Sequence, residues 1–395
     1  MKSIVEIRKN VRTDLPERFS ELDFFQKNFS RIVNLFDGNV MPPYEVLIHP
    51  CSYCNLSCKW CIGSYVANNK EKSLKTNLNK IENMEKVIEG VLSYKKVGKD
   101  YINGGNETFK VENVSFSGIT GEPMIAKEAV LYAINKLKEN NIRVGMFTNG
   151  VLLTPDIHDT LLKMDYILIS LDAGENSTYV KLKCNGTDNN EFHTIINNIK
   201  ALNSKKKEIN SKTDINIGYM LNQFNYNEIY KIAKEMKKIG VYYFRLKTDI
   251  SSQMLLDEEQ NAIVKEQIEK IKSELEDDNF KFVAIHRLGN ETEKIRDFKK
   301  CFIHYLYGAV SADGNVYPCN YHPKVDGYTY DSAITNKFGD IWENIKNYEI
   351  DKNIPKICPN RCDPFKTRAN RLLEAAYEIY KEEGIESLKD FIFKE

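Results

Sequence analysis

The chain has no apolar run of membrane-spanning length, and its opening stretch, "MKSIVEIRKNVRTDLPERF", lacks the apolar core of a secretory signal. These absences predict a cytoplasmic protein with no membrane partner. An excess of charge of one sign is missing too: Lys+Arg and Asp+Glu stand at 56 each over 395 residues. No global field draws in a polyanion, and no basic tail is present, so nucleic acid is not an expected partner. The Lys-rich stretch "NSKKKEINSK" at 203–212 falls where a helix should end and reads as a solvated face. Hydrophobic residues at 42% and charged residues at 28% fit a globular protein rather than a disordered one. The length allows one large α/β domain with an appendage.

Cysteine departs from this plain background, with four of the nine lying between Cys51 and Cys61. Cytosolic thiols stay reduced, so clustered cysteines read as metal ligands or catalysts ahead of disulfides. Cys54, Cys58 and Cys61 are spaced C-x-x-x-C-x-x-C, a poor fit to a closed four-ligand zinc site. A cubane iron–sulfur cluster takes one thiolate per iron, so three cysteines leave one iron open for chemistry. Cys301, Cys319, Cys358 and Cys362 supply the four thiolates of a fully ligated cluster, although the same four could hold zinc. Cys51 reads as a buried bystander thiol. Cys184, in "KLKCNGT", reads either as a loop thiol or as a hydrogen-atom donor facing a substrate. His49 reads as a packing or hydrogen-bonding residue, and Tyr219 and Tyr243 as strand residues that could reach a cavity.

Strands and helices alternate through the middle of the chain. "YEVLIHP" (44–50) is a strand that runs into the cysteine loop; "ENVSFSG", "IRVGMFTNG", "YILISLDA", "DINIGYML" and "YYFRLK" follow, separated by stretches of helical periodicity. About six β/α units imply parallel strands and right-handed crossovers, as an open doubly wound sheet or an incomplete barrel, with chemistry at the C-terminal strand ends. From Cys301 the texture changes: "ADGN" is a hairpin turn between "YLYGAVS" and "VYPC". Leu372, Leu373, Ala376, Ile379 and Tyr380 mark a terminal helix. The expected division is an N-terminal extension (1–43), a partial barrel (44–290) and a cysteine-bearing C-terminal unit (291–395).

Cys54, Cys58 and Cys61, with Trp60 just before the last, resemble the signature of the radical S-adenosylmethionine (SAM) superfamily. "SFSGITGEP" is similar to that family's glycine-and-glutamate motif and "SLDA" to its fourth-strand motif, so the resemblance spans about residues 44–290. It implies a partial (β/α)6 TIM-like barrel holding a 4Fe-4S cluster and S-adenosyl-L-methionine, which is reductively cleaved to a 5′-deoxyadenosyl radical that abstracts a substrate hydrogen atom. It further implies that Gly121 and Glu122 meet the methionine amino group and Ser170 or Asp172 the ribose, with Trp60, Thr148 and Asn149 near the same site. Arg245 reads either as a bidentate donor to the carboxylate or the substrate, or as a surface arginine at a strand end. Gly118 and Gly121 are separated by two residues, whereas the family more often has adjacent glycines there. The C-terminal unit resembles the twitch domain, a shortened relative of the SPASM domain, and implies a second, auxiliary 4Fe-4S cluster.

The implied electron donor is a flavodoxin or ferredoxin. The implied substrate is a small molecule such as a sugar or aminocyclitol, oxidised or epimerised by a radical SAM oxidoreductase. The alternative is a ribosomally made peptide, modified or cross-linked at a C–H bond. The first 43 residues are short for a leader-recognition domain, which favours the small molecule. A non-catalytic iron–sulfur or zinc protein is the remaining class, and the open iron argues against it.

Overall fold

A computed structural model describes residues 15, 20–62, 75–119, 121–250, 254–285, 295–321, 329–356, 358 and 361–394. Its strands are β1 (Glu45–Ile48), β2 (Lys95–Lys99), β3 (Asn106–Lys110), β4 (Asn113–Phe116), β5 (Arg143–Thr148), β6 (Tyr166–Ser170), β7 (Asp214–Leu221), β8 (Tyr243–Thr248), β9 (Lys281–Ala284), β10 (Tyr307–Val310) and β11 (Val316–Tyr317). All but β2 and β3 form one sheet in the order β11-β10-β1-β4-β5-β6-β7-β8-β9. Every neighbouring pair from β10 to β9 is parallel, and only β11 runs antiparallel. The register aligns Ile48 with Phe116, Thr148 with Ile169, Ser170 with Gly218 and Gly218 with Arg245. The C-terminal strand ends, where the sequence placed its polar motifs, therefore share one edge.

A parallel sheet must be covered to bury its faces. Helices Ile81–Ser93, Lys127–Glu139, Glu191–Glu208, Ile229–Ile239 and Glu258–Glu274 do this with apolar stripes; Phe192, Ile195, Ile196, Ile199 and Leu202 are all buried, for example. Gly240, at φ +99°, stops its helix in a left-handed conformation that a residue with a Cβ adopts only under strain. No helix among the described residues is long and apolar enough to cross a membrane.

The six β/α units appear as expected, on β1 and β4 to β8, with three differences. First, β9 and β10 lengthen the parallel sheet. The hairpin of the C-terminal unit is thus not a separate layer, because β10 pairs with the free edge of β1 and covers it. Second, an antiparallel hairpin outside that sheet, β2–β3, turns around Gly104 and Gly105. Third, the described residues 20–43 of the N-terminal extension pack on the body, with helices Glu21–Lys27 and Phe29–Phe36. Helix Phe29–Phe36 is buried along its whole length, and Phe29 packs on Phe393 with ring centroids 5.1 Å apart. Glu21 pairs with Arg368 at 3.2 Å, both nearly inaccessible, and Gln26 donates to the Ile392 carbonyl at 2.9 Å. The terminal stretch forms two helices, Pro364–Glu383 and Ile385–Phe393, which those N-terminal helices clasp. The expected boundary at 290/291 lies outside the described residues.

Candidate active site between two cysteine groups

A cavity of about 530 Å³ runs along the sheet, from strand starts at Glu45, Asn113, Arg143 and Tyr166 to the C-terminal strand ends at Thr148, Ser170 and Thr248. Cys54, Cys58, Cys61, Trp60, Gly121, Glu122, Thr148, Asn149, Ser170, Asp172 and Arg245 all line it. The loop carrying the three cysteines follows β1 and is pinned from below by the end of helix Asn176–Lys183. Ser57 N–H donates to the Lys183 carbonyl at 2.8 Å, and Lys59 N–H to the Leu182 carbonyl at 3.0 Å. On its other side the loop meets Gly121, where an added Cβ would sit 2.2 Å from the Tyr53 carbonyl oxygen and 2.7 Å from that of Cys51. Only glycine fits that crossing. Gly118 is equally confined, by the Gly121 carbonyl.

Glu122 is buried and ties three segments together. Its carboxylate accepts from Thr148 Oγ1 at 2.6 Å, Asn149 N–H at 2.8 Å and Met124 N–H at 3.2 Å, while its own N–H donates to the Tyr53 carbonyl at 2.7 Å. Burial pushes its carboxyl above the ordinary carboxylate range, against those three donors. Asn149 continues the chain of contacts: its side-chain amide donates to Asn55 Oδ1 at 2.7 Å and lies 3.8 Å from Cys54 Sγ. The cysteine loop, the glycine-glutamate segment and the β5 turn are thus one hydrogen-bonded unit.

Asp172 has φ +59°, an uncommon conformation for a residue other than glycine, and both of its carboxylate oxygens have partners. Oδ1 accepts from Met220 N–H at 2.7 Å and Oδ2 from Lys183 Nζ at 2.8 Å. Lys183 is 1% exposed and also donates to the Ser170 carbonyl. Burial works against its charge, but Asp172 and the neighbouring Tyr179 and Cys58 hold it above the ordinary lysine range. Lys183 therefore supports the cysteine loop through its carbonyl and the β6 end through its ammonium. Lys247, two residues after Arg245 on β8 and on the same face, also lines the cavity. Burial, with Arg245 beside it, brings its ammonium down to about 8.

The second cysteine group lies behind another part of the wall. Gly314, at φ +89°, makes the turn between β10 and β11 that leads to Cys319. Cys319 Sγ accepts from Tyr321 N–H at 3.4 Å and lies 3.6 Å from Lys366 Nζ; Cys301 Sγ lies 3.6 Å from Asn370 Nδ2. Asn320, Tyr321, Asp363 and Lys366 face the cavity from this side. Burial pushes the thiols of Cys58 and Cys301 up to about 12 and that of Cys362 well above the ordinary thiol range, and each is raised further by its cysteine neighbours. Buried thiols so placed become thiolates only if a cationic centre joins them. An iron–sulfur core supplies that charge, and the N–H donors aimed at the sulfurs suit ligated thiolates. Both sets fit the group that the sequence implies.

Cys184 caps the end of helix Asn176–Lys183, half-buried, and does not line the cavity; the adjacent Lys183 does. Consecutive residues at a helix end point about 100° apart. Cys51 is 1% exposed within the hydrophobic core, in keeping with a bystander thiol. His49 is buried, with Nδ1 at 3.1 Å from the Ser117 carbonyl. Tyr219 lines the cavity but spends its hydroxyl on the Asn225 carbonyl at 2.7 Å, and Tyr243 packs against Leu15, Val283 and Ile285 instead. Sequence reasoning missed Lys183, Lys247, Lys366 and Asn320. A lone lysine or asparagine carries no spacing signal, although Lys183 and Asn320 each adjoin a cysteine that was singled out.

Comparison with known proteins agrees with this geometry. Residues 48–236 match the radical SAM superfamily, and residues 301–363 match the SPASM iron–sulfur cluster-binding domain. An uncharacterised protein of Methanocaldococcus jannaschii is 34% identical over 118 residues, 29% of this chain; the aligned stretch spans only 38% of that relative. The cysteine-type anaerobic sulfatase-maturating enzyme of Clostridium novyi is 23% identical over 338 residues, covering 80% of this chain and 83% of the enzyme. In fold, the chain is similar to SuiB of Streptococcus suis bound to S-adenosylmethionine, with a TM-score of 0.59 and 15% identity over 95% of this chain and 80% of SuiB. SuiB bound to the precursor peptide SuiA gives 0.57 at 17% identity, over 91% of this chain and 77% of that one. A 4Fe-4S cluster with S-adenosylmethionine belongs to the first domain and auxiliary iron–sulfur binding to the second. With its cysteine triplet in the loop after the first strand, the chain carries a radical SAM superfamily domain over residues 48–236 and a SPASM iron–sulfur cluster-binding domain over residues 301–363.

Proposed function

We propose that this enzyme dehydrogenates a C–H bond next to a heteroatom on a side chain of a polypeptide substrate. The observation that carries the reading is a single cavity bounded by the cysteine triplet on one side and, through Lys366 and Asn320, by the cysteine quartet on another. When bound at the triplet, the cluster and S-adenosylmethionine would supply the one-electron chemistry that removes a hydrogen atom; the cluster that the quartet would hold would take the second electron, and the proton on the heteroatom would leave to solvent, so that two hydrogens are lost in all. The chain's own residues do the positioning. Glu122 and Asn149 fix the cysteine loop, and Glu122 is the acceptor for the methionine amino group. Ser170 takes the ribose, with the Asp172–Lys183 pair holding the β6 end in place. Arg245 and Lys247 offer two cationic groups to a carboxylate of cofactor or substrate. Tyr166, Tyr219, Tyr307 and Phe365 supply walls that exclude water from a reactive centre.

Oxidation is favoured over epimerisation because the cysteine that would return a hydrogen atom, Cys184, is not among the residues that line the cavity. A polypeptide is favoured by the alignment with a sulfatase-maturating enzyme over most of both chains. The second reading, a sugar or aminocyclitol, is favoured by the cavity volume, which lies within the range of small-molecule pockets. The test is anaerobic. Reconstituted enzyme, dithionite and S-adenosylmethionine are incubated with cysteine- and serine-containing peptides, or with sugars and aminocyclitols, and 5′-deoxyadenosine and product mass are measured. The proposal expects peptide-stimulated 5′-deoxyadenosine and a peptide lighter by two hydrogens. Stimulation by the small molecules alone would transfer the assignment to the second reading. A product of unchanged mass in ordinary water that gains carbon-bound deuterium in deuterated water would contradict oxidation.

A further inference from the structure

We infer that Lys366 and Asn370, on one face of helix Pro364–Glu383, poise the iron–sulfur group of Cys301, Cys319, Cys358 and Cys362 toward its reduced state, with Lys366 standing between that group and the cavity. The inference rests on the quartet holding an iron–sulfur cluster and goes beyond it by naming the residues that set its potential.

Lys366 is 7% exposed and sits in the first turn of its helix, whose N-cap is Asp363. A cation there opposes the helix dipole, so local sequence logic gives it no support. Its ammonium is directed instead at Asn320 Oδ1 and at Cys319 Sγ, 3.6 Å away. Asp363, the nearest carboxylate along the chain, also acts on the Lys366 ammonium through its charge, while one oxygen accepts the Lys366 N–H at 3.2 Å and the other the Tyr321 hydroxyl at 2.7 Å. One helical turn on, fully buried Asn370 directs Nδ2 at Cys301 Sγ, 3.6 Å away. Its Oδ1 accepts the Ile303 N–H at 3.0 Å, which fixes the amide so that the donor faces the sulfur. Residues four apart share a helix face, so one face presents a charged and a neutral donor to two of the four ligand sulfurs.

Hydrogen bonds to sulfur, net charge and burial are the protein's levers on a cluster's potential. Reduction adds one negative charge, and a buried ammonium beside a ligand sulfur stabilises that added charge more strongly than solvent would. Lys366 also lines the cavity, together with Asn320, Tyr321 and Tyr307. The same positive charge therefore faces the quartet on one side and the cavity contents on the other.

The test isolates the second group. In a chain carrying Cys54→Ala, Cys58→Ala and Cys61→Ala, the midpoint of the remaining cluster is measured by EPR-monitored redox titration, with iron content determined in parallel. Lys366→Met is expected to lower the midpoint so that, at the parent midpoint, the oxidised-to-reduced ratio rises about tenfold, equivalent to about 59 mV for one electron. Lys366→Arg should stay near the parent. Asn370→Leu, which removes a neutral donor, should shift the ratio in the same direction by about threefold. An unchanged midpoint in Lys366→Met with about four irons retained would overturn the inference. If Lys366→Met binds no iron, Asn370→Leu decides, and an unchanged midpoint there overturns it. A parent that binds no iron at the quartet would instead refute the cluster assignment and the inference with it.

Discussion

Lys183 shows how much one unremarked side chain can hold. Its carbonyl anchors the cysteine loop, and its buried ammonium bridges Asp172 and the β6 end. Removing one partner of a buried pair leaves the other charge unpaired, so Lys183→Met should cost about 3–5 kcal/mol. Lys183→Met combined with Asp172→Asn should recover part of the loss. Anaerobic thermal unfolding measures both, and an unchanged midpoint in the single variant would contradict the pairing. Gly121→Ala is expected to lose the iron of the triplet and keep that of the quartet, because the new methyl would occupy the path of the cysteine loop; iron analysis per chain decides. Ser170→Ala should weaken S-adenosylmethionine binding while the iron content holds. Glu122→Ala should weaken both, since Glu122 also ties the loop in place; equilibrium dialysis beside iron analysis separates the two variants. The triplet and the quartet could be read because cluster ligation imposes spacing, whereas Gly121 and Glu122 were named only through the resemblance of their motif. Lys183, Lys247 and Lys366 were not, because a buried lysine is defined by its neighbours in space.

Among elements, the short helix Glu349–Asn353 is fastened by a single carboxylate. Asp351 accepts from His304 at 2.9 Å, Tyr305 at 2.6 Å and Tyr330 at 3.1 Å, and His304 also meets the carbonyl of Cys301. Burial works against the charge of Asp351, but the His304 and tyrosine donors prevail and hold its carboxyl below the usual range. A carboxyl with a folded pKa below its unfolded one stabilises the fold above about pH 4, and that contribution is lost as the pH falls through the folded value. Asp351→Asn should therefore lower stability near pH 7 by about 1–3 kcal/mol. The gap from the parent should close as the pH is taken below about 4; thermal unfolding across that range checks the sign, and a gap that widens on acidification would contradict it. Strands with continuous apolar runs, such as β6 and β7, announced themselves in the sequence. The β2–β3 hairpin did not, since "KKVGK" is half exposed and lysine-rich, and β9 has only four residues. That β10 would pair with β1 was beyond reach, because the partner lies far away along the chain and pairing at an edge leaves no local pattern.

At the scale of the whole molecule, two features bring the distant cysteine groups to one cavity. Strand β10 joins the barrel sheet beside β1, which leads into the triplet, and the N-terminal helices clasp the C-terminal helices that carry Lys366 and Asn370. The chain's first described helices help to hold its last. The central claim is that triplet and quartet each hold a cubane at this shared cavity, and iron content per chain after anaerobic reconstitution tests it most directly. The parent should bind about eight irons, falling to about four when Cys54, Cys58 and Cys61 are changed to Ala, and to about four when Cys301, Cys319, Cys358 and Cys362 are changed instead. Zinc without iron in the triplet variant would contradict the account.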